Sequence, residues 1–433
     1  MGKIKVAWIC HLSNEEIRNN IKLDKTSLRY RFLHFLGKVT PVRDYAQWNT
    51  NAINVFKKFD DVELHVISPH LQLSDKIVEF VSEGIHYHLF RSEDDTFLFR
   101  LKRRFLKGKY FTYHYDNNSQ TICSIVDGIN PDLVHLMGAE NPLYSSSFMQ
   151  LNGKYPKLVT LQTLMNDPDF FKNYPITRTV YDYRASVESS VIKTADFICS
   201  NVEHFRNLVW KYIDKSARFL DICLAIGEEI VSEPTEKEYD FVYFAKEIEK
   251  AADWAIEAFA GVCRVFPDSK LNIIGSSAPE YRAKLDKRIG ELSILENVFF
   301  SGALPTHDDV MRQIRKARFA VLPLKIDVSS STLREAMANG LPVVTTITPS
   351  TPKINAERQC LLLSEKEDFI GMTDNMLRLM NSKELADELR QNAFIRVRER
   401  YDNEVIVGKW RDVYLAVLEN RKSGTTISSE IIH

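Results

Sequence analysis

The sequence is short of the features that would place a protein at sight. Its six cysteines (Cys10, Cys123, Cys199, Cys223, Cys263 and Cys360) are scattered over 433 residues, with no C-x-x-C pair and no histidine cluster at ligand spacing. That pattern excludes a disulfide scaffold and a thiolate finger, and fits buried thiols in a reducing compartment. Charge of one sign is also lacking: the net charge is −1, so the total offers nothing to nucleic acid. No apolar run nears the ~18 residues that span a bilayer. The opening segment, Lys3 to Cys10, has too short an apolar part for a signal peptide and no small-residue cleavage site after it, so it reads as a strand. A cytoplasmic protein is the expectation. No Gly-x-Gly-x-x-Gly follows that strand, which disfavours a dinucleotide dehydrogenase. Short repeats and low-complexity tracts are absent too.

What is present is an alternation of strands and helices too long for one ordinary core. Hydrophobic content of 44% and charged content of 27% are those of a globular protein. Ile4 to Cys10 is a continuous apolar strand of the kind buried on both faces of a parallel sheet, and His11 opens the loop at its carboxyl end. A helix over 44–59 and a strand over 62–68 complete a β-α-β start, which implies a doubly wound sheet. Asp132 to Gly138, with Glu140 beyond it, and Leu158 to Leu164, with Gln162 near its end, repeat the plan, and 196–200 closes the half. Each of these loop groups has two readings, a ligand contact or a polar group bonded to nearby backbone. His135, in mid-strand, reads as a satisfied core histidine. The stretch 97–115 interleaves Arg100, Lys102, Arg103, Arg104, Lys107 and Lys109 with aromatics. It suits either peripheral contact with an anionic membrane surface, at about 1 kcal/mol per basic residue, or a solvated helix burying its rings.

The polar, acidic, proline-containing stretch 228–239 reads as the domain linker. The expected domains are 1–228, with its linker to about 239, and 240–400, followed by a helix over 401–420 and a loose tail over 421–433. A strand from Asp240 to Ala245 opens the second half. Lys246 and Lys250 lie before a helix over 251–266 with Trp254, Ala258, Phe259 and Val262 as its stripe. Leu271 to Gly275 is the next strand and turn. Helices over 280–292 and 308–318, with a strand over 298–302 between them, lead to the segment that organises the half: Asp327 to Glu335, then Ala336 to Gly340 and Leu341 to Thr346.

That segment is a loop, a short helix, a glycine stop and a buried strand. Gly340 fits the left-handed position that ends a helix, and Pro342 forbids continuing it. A loop that feeds a helix N-terminus is a ready anion site, because unpaired N–H groups and the helix dipole point the same way. Two readings are open here. In one, Thr332 caps the helix and Glu335 is its capping-box partner. In the other, the amides hold a phosphate and the carboxylates accept hydrogen bonds from a sugar diol.

The continuation Glu-Ala-Met-Ala-Asn-Gly-Leu-Pro-Val-Val, 335–344, resembles the corresponding segment of the retaining GT-B glycosyltransferases (glycosyl transferases, group one). Asp327-x7-Glu335 keeps the spacing of that family's Glu-x7-Glu pair, with the first acid shortened to Asp. The resemblance implies an α/β, GT-B architecture: two doubly wound Rossmann-like domains facing a central cleft, with a terminal helix crossing back to the first. It implies that Glu335 binds the nucleotide ribose, Ser330, Ser331 and Thr332 the diphosphate, and Asp327 the donor sugar. Lys246 and Lys250 would neutralise the leaving diphosphate, although the family's glycines there are Ala245 and Ala251 in this chain. Gly275 belongs to the donor side, and His11, Glu140 and Gln162 to the acceptor side. The expected activity is metal-independent transfer of a sugar, with retention, from a nucleoside-diphosphate sugar to a glycan or lipid-linked acceptor, with no cofactor besides that donor. A nucleotide-sugar epimerase and a non-catalytic glycan-binding or scaffold protein on the same fold are the alternatives.

Overall fold

The computed structural model describes residues 3–23, 44–70, 73–93, 115–151, 153–173, 177–211, 213, 218–220, 222, 224–225, 230–231, 235–326, 330–424 and 427. The basic, aromatic stretch 97–114 and Asp327 lie outside these. The chain divides into two compact units, Met1–Ala225 with Asn403–His433, and Ile226–Asp402.

The first unit is built on eight strands: β1 (Ile4–Ile9), β2 (Val62–His70), β3 (Ile77–Ser82), β4 (Ile85–Arg91), β5 (Leu133–Met137), β6 (Lys157–Thr160), β7 (Phe197–Cys199) and β8 (Arg218–Leu220). Their order in the sheet is β3-β4-β2-β1-β5-β6-β7-β8. All neighbours run parallel except β3, which pairs antiparallel with β4. Continuous apolar runs such as Val6 to Ile9 are fully buried because helices cover both faces. The β3–β4 hairpin is an addition to the expected pattern. Glu83 and Gly84 both have positive φ, 48° and 82°, and make the tight turn that joins its strands.

The second unit has six parallel strands: β9 (Tyr239–Glu247), β10 (Leu271–Ser276), β11 (Val298–Gly302), β12 (Ala317–Val321), β13 (Val343–Thr346) and β14 (Leu361–Ser364). The order is β11-β10-β9-β12-β13-β14. In each sheet the strand order reverses beside the first strand, between β1 and β5 and between β9 and β12. A crevice opens at such a point outside the carboxyl ends of the strands, where doubly wound proteins bind ligands.

Several expected boundaries move. The helix expected over 44–59 is Gln47–Phe56, entered through Ala46 at φ 56°. The last helix is Asn403–Ser423, longer than expected, and Ile427 beyond it is buried in the core of the first unit. That helix packs Trp410, Val413, Tyr414 and Val417 against β1 and its neighbours. Trp8 donates its indole N–H to the Tyr414 hydroxyl at 2.9 Å, and Tyr414 meets His135 Nδ1 at 2.7 Å. The far nitrogen of His135 meets Thr160 Oγ1 at 2.7 Å. His135 is thus a satisfied core histidine whose burial lowers its pKa to about 3. Among the described residues no helix is long and apolar enough to cross a membrane.

Candidate functional site

The helix Ser331–Ala338 follows β12 and the turn after it, and its first turn is organised by Ser330. Ser330 is the N-cap: its Oγ accepts from the Leu333 N–H at 3.4 Å and lies 2.9 Å from Thr332 Oγ1. The capping-box reading fails, because Thr332 stands inside the helix and Glu335 is five residues past the cap rather than three. Glu335 is therefore not spent on closing the helix end by that device. At the other end Leu341 N–H reaches Ala336 O at 3.0 Å and Gly340 N–H reaches Met337 O at 3.1 Å. These two bonds, with Gly340 at φ 70°, form a Schellman stop. The chain then turns at Pro342 into β13.

β9 carries the opposing cations. It runs through Lys246 to Glu247, and one 3-10 turn, Ile248–Lys250, leads into the helix Ala252–Val265. Lys246 is exposed. Much of the Lys250 side chain also reaches solvent, yet its ammonium is crowded by protein. That desolvation is the main reason its pKa is lowered; Lys246 lowers it further, while Glu247 and Glu335 oppose the change. Lys246, Lys250 and Glu335 thus share one electrostatic neighbourhood at the end of β9. The alanines that replace the family's glycines fit here, since neither Ala245 nor Ala251 has positive φ. Ala251 N–H is taken up by the Tyr243 hydroxyl at 3.0 Å.

Gly275, the last residue but one of β10, lies beside this turn at φ 145°. A Cβ there would stand 2.0 Å from the Ala245 carbonyl oxygen. The glycine lets β10 approach the backbone that presents Lys246, and Ser276 Oγ donates to Lys246 O at 2.6 Å. Two groups that the sequence did not single out belong to this region. Lys325, two residues before Asp327, is held by both Asp253 carboxylate oxygens at 2.9 and 2.8 Å. Glu249 accepts the Ala278 N–H on one oxygen, while its other is buried without a hydrogen-bond partner among the described residues.

In the first unit, His11, Glu140 and Gln162 follow β1, β5 and β6, three adjacent parallel strands, and so lie at one edge of the sheet. His11 packs its ring 4.5 Å from Tyr45 and 6.2 Å from Tyr144. Gly138, at φ 96°, leaves room for the Glu140 carboxylate: a Cβ would lie 2.7 Å from Glu140 Oε2 and 2.8 Å from the Tyr144 hydroxyl. That hydroxyl donates to Met137 O at 2.9 Å. Glu140 Oε2 is buried and lacks a hydrogen-bond partner among the described residues. Burial raises the Glu140 pKa to about 7, against the pull of its own backbone N–H and of Arg184. Glu188, fully buried, is its unexpected neighbour. Glu188 accepts N–H bonds from Met165 at 2.8 Å and Asn166 at 3.1 Å. Burial raises its pKa to about 8, with Glu140 adding to the rise. The signal for Glu188 was its position, with Ala185 and Ile192, on the buried side of the helix Arg178–Thr194. Gln162 is half-buried at the same edge.

Residues 227–396 match the model of the glycosyl transferases group 1 family. The chain is a glycosyltransferase carrying a domain of that group. Over 359 residues it is 22% identical to N-acetyl-alpha-D-glucosaminyl L-malate synthase of Bacillus anthracis, covering 80% of this chain and 91% of that one. Sucrose-phosphate synthase from Thermosynechococcus elongatus is similar in structure, with a TM-score of 0.67, 15% identity, and coverage of 95% of this chain and 98% of that one. Anabaena Alr3699/HepE, solved in complex with UDP and glucose, has a TM-score of 0.63 at 12% identity, over 95% of this chain and 99% of that one. The fold of this glycosyltransferase is GT-B, two Rossmann-like units. Its matched segment contains the β9 turn, Gly275 and the helix Ser331–Ala338.

Proposed function

We propose that this glycosyltransferase moves a sugar from a nucleoside-diphosphate sugar to a hydroxyl of a glycan or lipid-linked acceptor, with retention and without a metal at the reacting centre. The observation that carries the reading is the meeting of Lys246, Lys250 and Glu335 at the carboxyl end of β9, beside its switch point. The barrier is departure of a diphosphate from an anomeric carbon, so developing negative charge must be stabilised. The N–H groups of the first turn at Ser331 and Thr332 and the two ammonium groups supply positive potential for that charge. Lys250 is partly desolvated, which strengthens its field on a bound phosphate. Glu335 is assigned the ribose diol, and Asp327 the donor sugar. His11, Glu140 and Gln162 are assigned the acceptor. The unsatisfied Glu140 oxygen supports this, because a buried acceptor atom without a donor is a ready partner for a substrate hydroxyl. Retention follows the family resemblance.

The deciding experiment is calorimetric titration with UDP, GDP and ADP, on the parent chain and on Glu335→Ala. One nucleotide should bind, and the variant should lose at least tenfold in affinity, the scale of one hydrogen-bonded charge. Equal affinity in the variant would remove Glu335 from the ribose. Absence of binding to all three would favour a non-catalytic, glycan-binding role.

A further inference from the structure

The β3–β4 hairpin assembles a cluster that no motif in the sequence announces. Residues i and i+2 of a strand share a face. Glu63 and His65 on β2 therefore share one face, as do His86 and His88 on β4, and the register pairs His65 with His86. β3 brings Glu79 opposite His88. Further along the same face Ile67 and Phe90 enter the core, so the cluster occupies the margin where the sheet meets solvent. His65 is buried, and the side chain of His88 nearly so at 13% exposure. The His65 and His86 rings stack at 4.5 Å.

The candidate ligand atoms of Glu63, His65 and His86 all lie within 4.8 Å of one another. Ligands sharing one zinc-like ion at about 2.0–2.2 Å lie roughly 3.3 Å apart, which modest side-chain rotation achieves. The hydrogen bonding around His65 has the form that metal-ligating histidines show. Its Nε2 meets Glu63 Oε1 at 2.9 Å, and its Nδ1 meets His88 Nε2 at 3.0 Å. His88 Nδ1 meets Glu79 Oε1 at 2.7 Å. With an ion on Nε2, the Nδ1–H of His65 donates to His88, and His88 donates to Glu79. This outer chain fixes the tautomer and ring orientation of the ligand.

We propose that Glu63, His65 and His86 form a binding site for a borderline divalent transition ion of the zinc(II) class, with His88 and Glu79 as its supporting shell. Two imidazoles and one carboxylate suit such an ion better than magnesium or calcium, which prefer oxygen. The ion's competitor is Lys5, whose ammonium lies 3.7 Å from Glu63.

The cluster lies near the starts of β2 and β4, whereas His11, Glu140 and Gln162 follow the ends of parallel strands in the same sheet. An ion here would tie β2 to the hairpin at the sheet edge and take no part in sugar transfer. This inference stands independently of the transfer reading.

The test uses the full chain, stripped of metal with chelator and dialysed, titrated with zinc(II) in the calorimeter and with cobalt(II) in the visible spectrum. One ion per chain should bind, and the cobalt spectrum should lack the near-ultraviolet thiolate band. The double variant His65→Gln/His86→Gln should lose at least a hundredfold in affinity, and His88→Ala about 10–100-fold. Zinc should raise the thermal midpoint of the parent and leave the double variant unmoved. Circular dichroism and the thermal midpoint of the metal-free double variant, set against those of the metal-free parent, show whether it is folded. Failure of the parent to bind saturably, a thiolate band, or undiminished affinity in the double variant overturns the proposal.

Discussion

Each ammonium at the end of β9 has its own setting. Lys246 is solvated, while Lys250 loses part of its hydration and has a lowered pKa mainly for that reason. Charges placed for a leaving diphosphate act on the transition state more than on the ground state. The pair Lys246→Ala/Lys250→Ala should therefore lower kcat by about 10²–10³, with the melting temperature unchanged. Unchanged turnover in a steady-state assay would make them ordinary surface charges. In the first unit, Glu140 gives a pH signature of definite sign. In the unfolded chain this carboxyl titrates at the ordinary glutamate value of 4.5, and in the folded protein at about 7. Between those values the folded state holds the proton and the unfolded state has released it, so stability falls as pH rises through the window and levels off above it. Glu188, raised to about 8, slopes the same way. Glu140→Gln should lose less stability than the parent between pH 5 and pH 8 in denaturant melts. The same variant should raise KM for the acceptor. Equal slopes in the two chains would count against the burial of this carboxyl.

Between strands, the tightest constraint is at Gly275. A methyl group there would meet the Ala245 carbonyl oxygen at 2.0 Å and Ile248 Cγ2 at 2.9 Å, on a backbone already at φ 145°. Gly275→Ala should cost roughly 2–4 kcal/mol, combining overpacking with a disfavoured conformation. Because the displaced backbone is the one that carries Lys246, nucleotide affinity should fall as well. Gly84 is the control: its φ is 82°, but a Cβ there would meet nothing within 4 Å. Gly84→Ala should cost about 1 kcal/mol, from conformation alone. Chemical denaturation of both variants checks the ordering, and a smaller loss at Gly275 than at Gly84 would contradict the packing argument.

At the scale of the whole chain, each unit has its own core. The second is closed by residues between Phe241 and Val397. The first includes Ile406, Trp410, Val413 and Tyr414 from the last helix. A fragment spanning 226–402 should therefore melt cooperatively by itself. A chain ending at 402 should leave the first unit destabilised, since Trp8 on β1 and Phe56 on the helix Gln47–Phe56 would lose their contacts with Trp410 and Tyr414. Trp410→Ala, at a site with no exposure, should cost about 3–5 kcal/mol. Limited proteolysis of the truncated chain should cut the first unit before the second, and resistance of both would refute the assignment of that helix to the first core.

The sequence by itself determined the class of the fold. Runs such as Val6 to Ile9 and Leu341 to Val344 are apolar for several consecutive residues, which suits strands covered on both faces, and local chemistry ended the helix at Gly340 before Pro342. The segment 335–344 also carried the family, because its residues are contiguous. Tertiary structure decided what depends on residues distant in sequence. Ser330 takes the cap from Thr332 because the helix begins at Ser331. Glu188 meets Glu140 only because the helix Arg178–Thr194 packs over the loop that follows β5. Glu63, His65, Glu79, His86 and His88 become a cluster only when the hairpin folds beside β2. Periodicity reports which way a side chain faces along its own strand; register between strands fixes its partners.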